Sequence, residues 1–512
     1  MKIIGIHIDL KAQSMRFEYL LKVLQDMADR GFNTVLLEYQ DKFPYWGEYR
    51  CLAGEDALTL DEVKQLVAFS EAHNLEIIPM VQSAGHMYWV TRHDAFAALG
   101  EDYGVKGKGS HSLCPSKSGS IELFKDLARQ VMSLHPNSRY FHIGGDEVYL
   151  RDGCEACAGK DRGKILEAYY NQPLEFTVKM GYTPAMWGDM VLQYDSVRKA
   201  IPKDTVIFHW EYWYGLSSDN AKRMYADGSS WAPVNEESFT SLRQLVDEGF
   251  RVVACPALRS NGDAAFLGRN VHFDNCIQAM LEARKVGAEG IMVTSWAVRL
   301  VPWPLTMLPI TAVQMLAQEP ETTVPEIVEQ YCRDTFGTVN EELRHLPRTL
   351  ADAVHEALQA VDLISSGADF MDAETGRFLS DSIALRVSKR PPMDADAVKD
   401  QYERMKLAGE AALMVLDSAC PGTTAQKEYV AMWRWAAESA RFFGNYGAEL
   451  SDHWRDIQWI REMQGKLDGF AEIHLAQLEK YFTPFSMLDE YDTRIGVHKN
   501  LLAALADRLR NQ

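Results

Sequence analysis

The sequence predicts an α/β fold, a (β/α)8 TIM barrel followed by an α-helical C-terminal region, and three observations carry that reading. From residue 1 to about 320 one pattern recurs eight times: a short β-branched or apolar run, a loop, then a segment with helical periodicity. One of the loops is far longer than the rest, running from Gln82 to Gly119 and rich in Gly, His and Ser, and loops of that length inside a compact domain usually carry function. Beyond Glu319 the apolar runs stop and only helical periodicity remains.

Taken in order, the strands are expected at Ile3 to Ile8, Thr34 to Glu38, Glu76 to Val81, Tyr140 to Ile143, Thr183 to Trp187, Thr205 to His209, Val252 to Cys255 and Gly290 to Ser295. Helices are expected between them near 16–30, 60–73, 119–134, 161–180, 190–199, 235–248, 271–287 and 305–318. Thr59 ahead of Leu60-Asp61-Glu62 reads as an N-cap. Eight such units in ~320 residues fit a barrel, with a doubly wound open sheet as the alternative, because alternation alone does not establish closure. In a barrel the segments that follow strands gather at the C-terminal face, where active sites are built. The remaining helices are expected at 324–365, 395–418, 425–446 and 451–481, broken by Pro391-Pro392 and Pro421-Gly422. Residues 1–320 are therefore read as a catalytic barrel and 321–512 as a helical domain. Tyr429, Trp433, Ala436, Ala440 and Phe443 share one helical face, which reads as packing surface.

Composition removes several function classes. A formal charge of -19, from 72 acidic and 53 basic residues without a Lys/Arg-rich run, argues against nucleic acid or an anionic membrane as partner. No stretch reaches the ~18 uninterrupted apolar residues of a membrane span, and Met1 to Leu10 lacks a signal-peptide core. Eight scattered cysteines are too sparse for a disulfide framework, so a cytoplasmic location with mostly buried thiols is expected.

The chemistry concentrates in Tyr140-Phe-His-Ile-Gly-Gly-Asp-Glu147. An apolar strand runs into two glycines, which permit unusual backbone angles, and then into adjacent acids that strand packing does not explain. In a glycosidase two carboxyls divide the work: one stays protonated for the leaving oxygen, the other charged to stabilise the cation forming at the sugar. Two close carboxyls also disfavour joint ionisation, which is expected to raise one pKa. His142 is placed to hydrogen-bond within this cluster or to sit as a satisfied core histidine.

This stretch closely resembles the His-x-Gly-Gly-Asp-Glu signature of glycoside hydrolase family 20, and the resemblance extends over the whole barrel. It implies a β-N-acetylhexosaminidase in which the substrate's own 2-acetamido oxygen is the nucleophile, Glu147 the general acid and later base, and Asp146 the group that orients the acetamide. It also implies substrate contacts from His86 in Gln82-Ser-Ala-Gly-His, from Trp187 and Trp296 as aromatic walls, from Tyr212 with Tyr214 as second choice, and from Glu38, with Asp41 and Lys42 as weaker candidates. Three positions depart from the family pattern. Gln82 stands where an acid is usual, Lys11 or Gln13 replaces an Arg after the first strand, and Val298 replaces an acid near Arg299. The last two departures leave the choice between gluco and galacto sugars open.

Cys154-Glu-Ala-Cys157 has C-x-x-C spacing, but no second such pair or H-x3-H run completes a four-ligand zinc site. Buried or loop thiols are expected there, with no metal and no cofactor. The resemblance thus implies an exo-acting, retaining hydrolase removing terminal β-linked GlcNAc or GalNAc from a small carbohydrate substrate. Exposed aromatics in the helical region point to a homodimer. The alternatives are a barrel glycosidase acting on a sugar without an acetamide and a catalytically silent sugar-binding protein.

Overall fold

The computed structural model describes residues 1–11, 14–101, 109–151, 154–225, 239–260, 266–296, 301–367 and 395–510. Nine parallel strands are present: β1 (Ile3–Asp9), β2 (Thr34–Glu38), β3 (Glu76–Met80), β4 (Tyr140–His142), β5 (Thr183–Trp187), β6 (Val206–Trp210), β7 (Arg251–Cys255), β8 (Ala257–Arg259) and β9 (Gly290–Ser295). Consecutive strands from β1 to β7 pair in order, β7 pairs with β9, and β9 returns to β1 through Ile3↔Gly290 to Ile6↔Val293. The sheet is therefore a closed eight-stranded barrel, and the open-sheet alternative is excluded. Strand β8 was not anticipated from the sequence. It resumes the line of β7 after Pro256, which has no N–H to donate, and pairs with Thr294 and Ser295 of β9 across a register shift.

Period-two alternation decides what faces the barrel axis. Leu36, Ile78, Met80, Tyr140, Ala185, Trp187, Val206, Phe208, Val253 and Met292 form one enclosed apolar cluster, flanked by Trp210 and Trp296. Val35, Leu37, Ile77, Phe141, Met186, Ile207, Val252 and Ile291 face the other way, into the layer under the helices. Following the inward series toward the strand ends changes its chemistry: Leu36 leads to Glu38, Tyr140 to His142, Ala185 to Trp187 and Phe208 to Trp210. The apolar lower layers hold the barrel together, and the top layer carries the polar and aromatic groups.

The helices largely follow the expected periodicity. Thr59 forms a full capping box with Glu62 at the start of Leu60–Ala72. Two expected helices are each divided. Tyr194 adopts an extended conformation between Asp189–Gln193 and Asp195–Ala200. Gly337, at φ 70°, ends Val324–Phe336 before Glu341–Gly367 begins. Helices Ala395–Leu416, Thr424–His453, Ile457–Leu478, Pro484–Glu490 and Val497–Arg510 complete the chain, the last two unanticipated. Tyr429, Trp433, Ala436, Ala440 and Phe443 are buried within the single chain, so that stripe does not itself supply a dimer contact. The C-terminal helices brace the barrel mouth directly: Met15 and Phe482 form an antiparallel bridge, and Thr483 N–H donates to Ser14 O at 3.0 Å. Among the described residues no helix is long and apolar enough to cross a membrane.

Candidate active site

The acid pair sits in a turn that only this local sequence tolerates. After β4 the backbone takes left-handed angles at Gly144 (φ 64°), Gly145 (φ 85°) and Glu147 (φ 48°). A Cβ on Gly144 would lie 2.0 Å from Gln82 Oε1, and one on Gly85 would lie 2.0 Å from the Asp146 carbonyl oxygen. The turn is held at each residue: Gly144 N–H donates to His142 Nδ1 (3.0 Å), Gly145 N–H to Gln82 Oε1 (3.2 Å), Tyr170 O–H to Gly145 O (2.7 Å) and Glu147 N–H to Asp189 Oδ2 (2.8 Å). Gly85→Ala is expected to displace the acid turn, costing about 1–3 kcal/mol as an overpacking substitution. Urea denaturation alongside kcat would register both effects, whereas unchanged stability and activity would show the two loops free to separate.

Asp146 is buried and both of its oxygens are engaged. Gln82 Nε2 donates to Oδ1 at 3.0 Å and His86 Nε2 approaches Oδ2 at 3.0 Å, while the same His86 nitrogen lies 3.4 Å from Glu147 Oε2. Burial alone would raise the Asp146 pKa, but His86 and the Gln82 bond outweigh it and hold the carboxyl below its usual value. The reciprocal effect overcomes burial at His86, pushing it up to about 10, with Asp146 the leading opposing cause. A glutamine at 82 suits this arrangement because it donates to Asp146 and accepts from Gly145 at once, whereas an acid there would face Asp146 with like charge. Glu147 is more open, its side chain 39% exposed.

Because His86 is raised from 6.5 to about 10, its pairing stabilises the fold fully below pH 6.5 and is lost as pH climbs through 10. Wild-type stability should fall on the order of a few kcal/mol across that window. His86→Gln should lack this component, so denaturation midpoints of the two proteins should converge with rising pH; parallel curves would contradict the pairing.

Aromatic groups gather at the same strand ends. Trp187 and Trp296 have ring centroids 5.5 Å apart, and His142 packs 4.7 Å from Trp187. Trp296 Nε1–H donates to Tyr212 OH at 2.9 Å, and Tyr212 stacks on Trp210. Burial drives His142 down to about 3, so it is neutral, consistent with Nδ1 accepting from Gly144. The ends of β1 and β2 add a charged network. Glu38 is 3.4 Å from His7 Nε2 and accepts from Gln40 Nε2 at 2.6 Å, and Lys11 Nζ lies 2.7 Å from Asp9, 3.8 Å from Glu38 and 4.8 Å from the centre of the Trp296 ring. Burial opposes ionisation of both Lys11 and Glu38, but Asp9 and then Glu38 raise the lysine, and Lys11 with His7 lowers the acid.

Asp146, Glu147, His86, His142, Trp187, Trp296, Tyr212 and Glu38 thus converge on one end of the barrel, together with Lys11. Tyr214 is 42% exposed, and its carbonyl accepts from Asn275. Lys42 is committed to Asp56 at 2.5 Å and Asp41 at 3.6 Å, in the loop after β2. Gln13, Val298 and Arg299 lie outside the described residues.

Three groups of the site were missed in the sequence. Asp189 backs the acid turn, with burial and then Asp146 raising it to about 7, and its Oδ1 is buried without a hydrogen-bond partner. Its signal was available, as an acid two residues past a strand end in Trp187-Gly-Asp. His7, inside β1, stands 4.6 Å from Trp296 between centroids, and His111 stands 4.6 Å from His86. Burial, then the neighbouring His86, lowers His111 to about 4. Its place beside His86 is set by a loop whose path no periodicity reveals.

A closed parallel barrel with adjacent carboxylates on the turn after its fourth strand presents the paired carboxyls that glycoside hydrolysis uses. Residues 29–231 match the profile of glycosyl hydrolase family 20, catalytic domain. Hexosaminidase D of Homo sapiens is 38% identical over 195 residues, covering 36% of this chain and 39% of that protein. Hexosaminidase D of Bos taurus is also 38% identical, over 144 residues, 28% of this chain and 40% of that one. The chain thus spans about two fifths of the length of these curated relatives. Among solved structures, a family 20 exo-β-N-acetylglucosaminidase from Vibrio harveyi is 16% identical with a TM-score of 0.49, covering 69% of this chain and 58% of its own.

Proposed function

We propose that this protein is an exo-acting, retaining β-N-acetylhexosaminidase that removes terminal β-linked GlcNAc or GalNAc by substrate-assisted catalysis. The observation that carries the reading is the asymmetry of the acid pair: Asp146 is buried and held ionised by His86 and Gln82, while Glu147 beside it stays accessible. The hexosaminidase name of the human and bovine relatives agrees with this substrate class.

On this reading the sugar's acetamide and ring pack on the partly exposed face of Trp296, which the fully buried Trp187 supports from 5.5 Å away. The Asp146 carboxylate accepts the acetamide N–H. That orients the carbonyl oxygen toward C1 and offsets the positive charge developing on nitrogen. Tyr212 donates to the carbonyl oxygen; the bond it accepts from Trp296 fixes the hydroxyl without using its proton. As the acetamide oxygen bonds to C1, Glu147 gives its proton to the departing glycosidic oxygen, and an oxazolinium ion remains. Glu147, now a carboxylate, takes a proton from water, whose oxygen attacks C1 from the face the leaving group vacated. The β configuration is retained. Lys11 and Glu38, beside Trp296, are assigned to the sugar hydroxyls. Glu38→Gln should raise KM about 10-fold, the effect of losing one charged hydrogen bond of ~1.5 kcal/mol, and an unchanged KM would remove Glu38 from the substrate contacts.

Hydrolysis of matched aryl β-GlcNAc, β-GalNAc and β-glucose substrates, with a thiazoline analogue of the oxazolinium as inhibitor, tests the proposal. Turnover of an N-acetyl sugar abolished by the thiazoline is expected, with the glucoside inert. Comparable turnover of the glucoside would favour a two-carboxylate glycosidase on a plain sugar, and binding without hydrolysis would favour a silent carbohydrate-binding protein.

A further inference from the structure

Two long loops, whose sequences share no motif, meet in a cluster of four buried metal-ligand types. Glu101, Cys114, Cys154 and Cys157 each offer one ligand atom, and these atoms all lie within 4.8 Å of one another. Cys114 Sγ is 3.5 Å from Cys154 Sγ and 3.4 Å from Cys157 Sγ, and Cys157 Sγ is 3.0 Å from Glu101 Oε1. We propose that Glu101, Cys114, Cys154 and Cys157 form a structural zinc site that fastens the loop after β3 to the loop carrying the acid pair.

The geometry favours this over isolated thiols. Four ligands at a Zn–S distance of ~2.3 Å in a tetrahedron place the sulfurs about 3.8 Å apart, close to the separations observed. One sulfur, Cys114, is near both others, so a disulfide would satisfy one pair and strand the third thiol beside a buried carboxylate. All four residues are buried, as a closed structural site requires, with no exposed position for substrate. Thiolates with one carboxylate suit zinc rather than magnesium or calcium, which take oxygen ligands.

The backbone presents the ligands as a clasp. Gly100 and Leu113 form an antiparallel bridge, Glu101 N–H donates to Ser112 O at 2.9 Å and Cys114 N–H to Leu99 O at 2.8 Å, so Glu101 and Cys114 lie diagonally across a loop neck, one on either side of that bridge. Opposite them, Cys154 and Cys157 share a tight turn closed by Cys157 N–H to Cys154 O at 3.0 Å. Arg151 N–H donates to the second carboxylate oxygen, Glu101 Oε2, at 3.1 Å. The sequence exposed only half of this set. Cys154 and Cys157 read as unliganded thiols in the sequence because their two partners come from 40 and more residues earlier, on the loop after the neighbouring strand.

The test is metal content of the full chain, purified with zinc in the growth medium, dialysed against metal-free buffer and read by plasma mass spectrometry. About one zinc per chain is expected, nearly all of it lost from Cys154→Ser/Cys157→Ser. Should that variant fold poorly, cobalt exchange into the wild-type chain supplies the second readout: thiolate charge-transfer absorption with tetrahedral visible bands, weakened in Glu101→Gln. Wild-type protein with less than about a tenth of a zinc, cobalt spectra without thiolate character, or two thiols missing from the eight in the denatured chain would each overturn the site. Zinc retained in the double variant would do the same, locating the ion elsewhere, as among His86, His111 and Glu147, which also lie within 4.8 Å of one another.

Discussion

Glu147→Gln is expected to lower kcat on a natural oligosaccharide by about 10²–10⁴-fold, the range general acid catalysis contributes, with KM little changed. Glu147 is the accessible member of the pair, on a backbone forced to φ 48° and pinned through its N–H to Asp189, so a glutamine keeps the position and loses only the proton. Aryl substrates with good leaving groups need little protonation at the departing oxygen, and their first step should suffer far less. Steady-state kcat/KM on an oligosaccharide and on a dinitrophenyl glycoside, side by side, checks this, because kcat/KM reports the steps through leaving-group departure and not the later base role of Glu147. An equal loss on both would assign Glu147 to some task other than leaving-group protonation.

Asp146→Asn is expected to lower kcat by about 10²–10³-fold, comparable to removing one preorganised group that stabilises transition-state charge. Unlike the first substitution, it should act on good and poor leaving groups alike, because orienting the acetamide precedes departure of either. It should also release His86. Without the neighbouring carboxylate the imidazole loses the leading cause of its elevated pKa, so its titration should move down from about 10, measurable by NMR of its ring protons. A variant in which His86 still titrates near 10 would assign the elevation to Glu147 instead.

The fold was largely legible because parallel barrel strands are buried on both faces and read as short unbroken apolar runs. Val206–Trp210 and Gly290–Ser295 are cases where the run and the strand nearly or fully coincide. Divided helices were less legible. Gly337 past the last periodic residue was an available stop signal, but the periodicity that resumes with Leu343 masked it. In the site, Asp146 and Glu147 could be read because their chemistry is contiguous in the chain. Groups brought together through space could not: His111 beside His86, Asp189 under Glu147, and Cys114 with Glu101 across from Cys154 and Cys157. Loop paths fix those contacts, and side-chain periodicity carries no information about loop paths. Tyr212 and Tyr214 show the same limit at short range. Two residues apart in one aromatic run, one is buried against Trp210 and Trp296 and the other faces outward.

The proposed mechanism makes the substrate's acetamide the nucleophile, with Asp146 and Glu147 serving it. Its most direct test is kcat/KM across aryl β-glucosaminides whose N-acyl group is acetyl, fluoroacetyl, difluoroacetyl and trifluoroacetyl. Each fluorine makes the carbonyl oxygen less nucleophilic at almost constant shape, so the account predicts a steep, monotonic fall along the series. A flat series would mean that a protein carboxylate or water attacks C1, and would contradict the account.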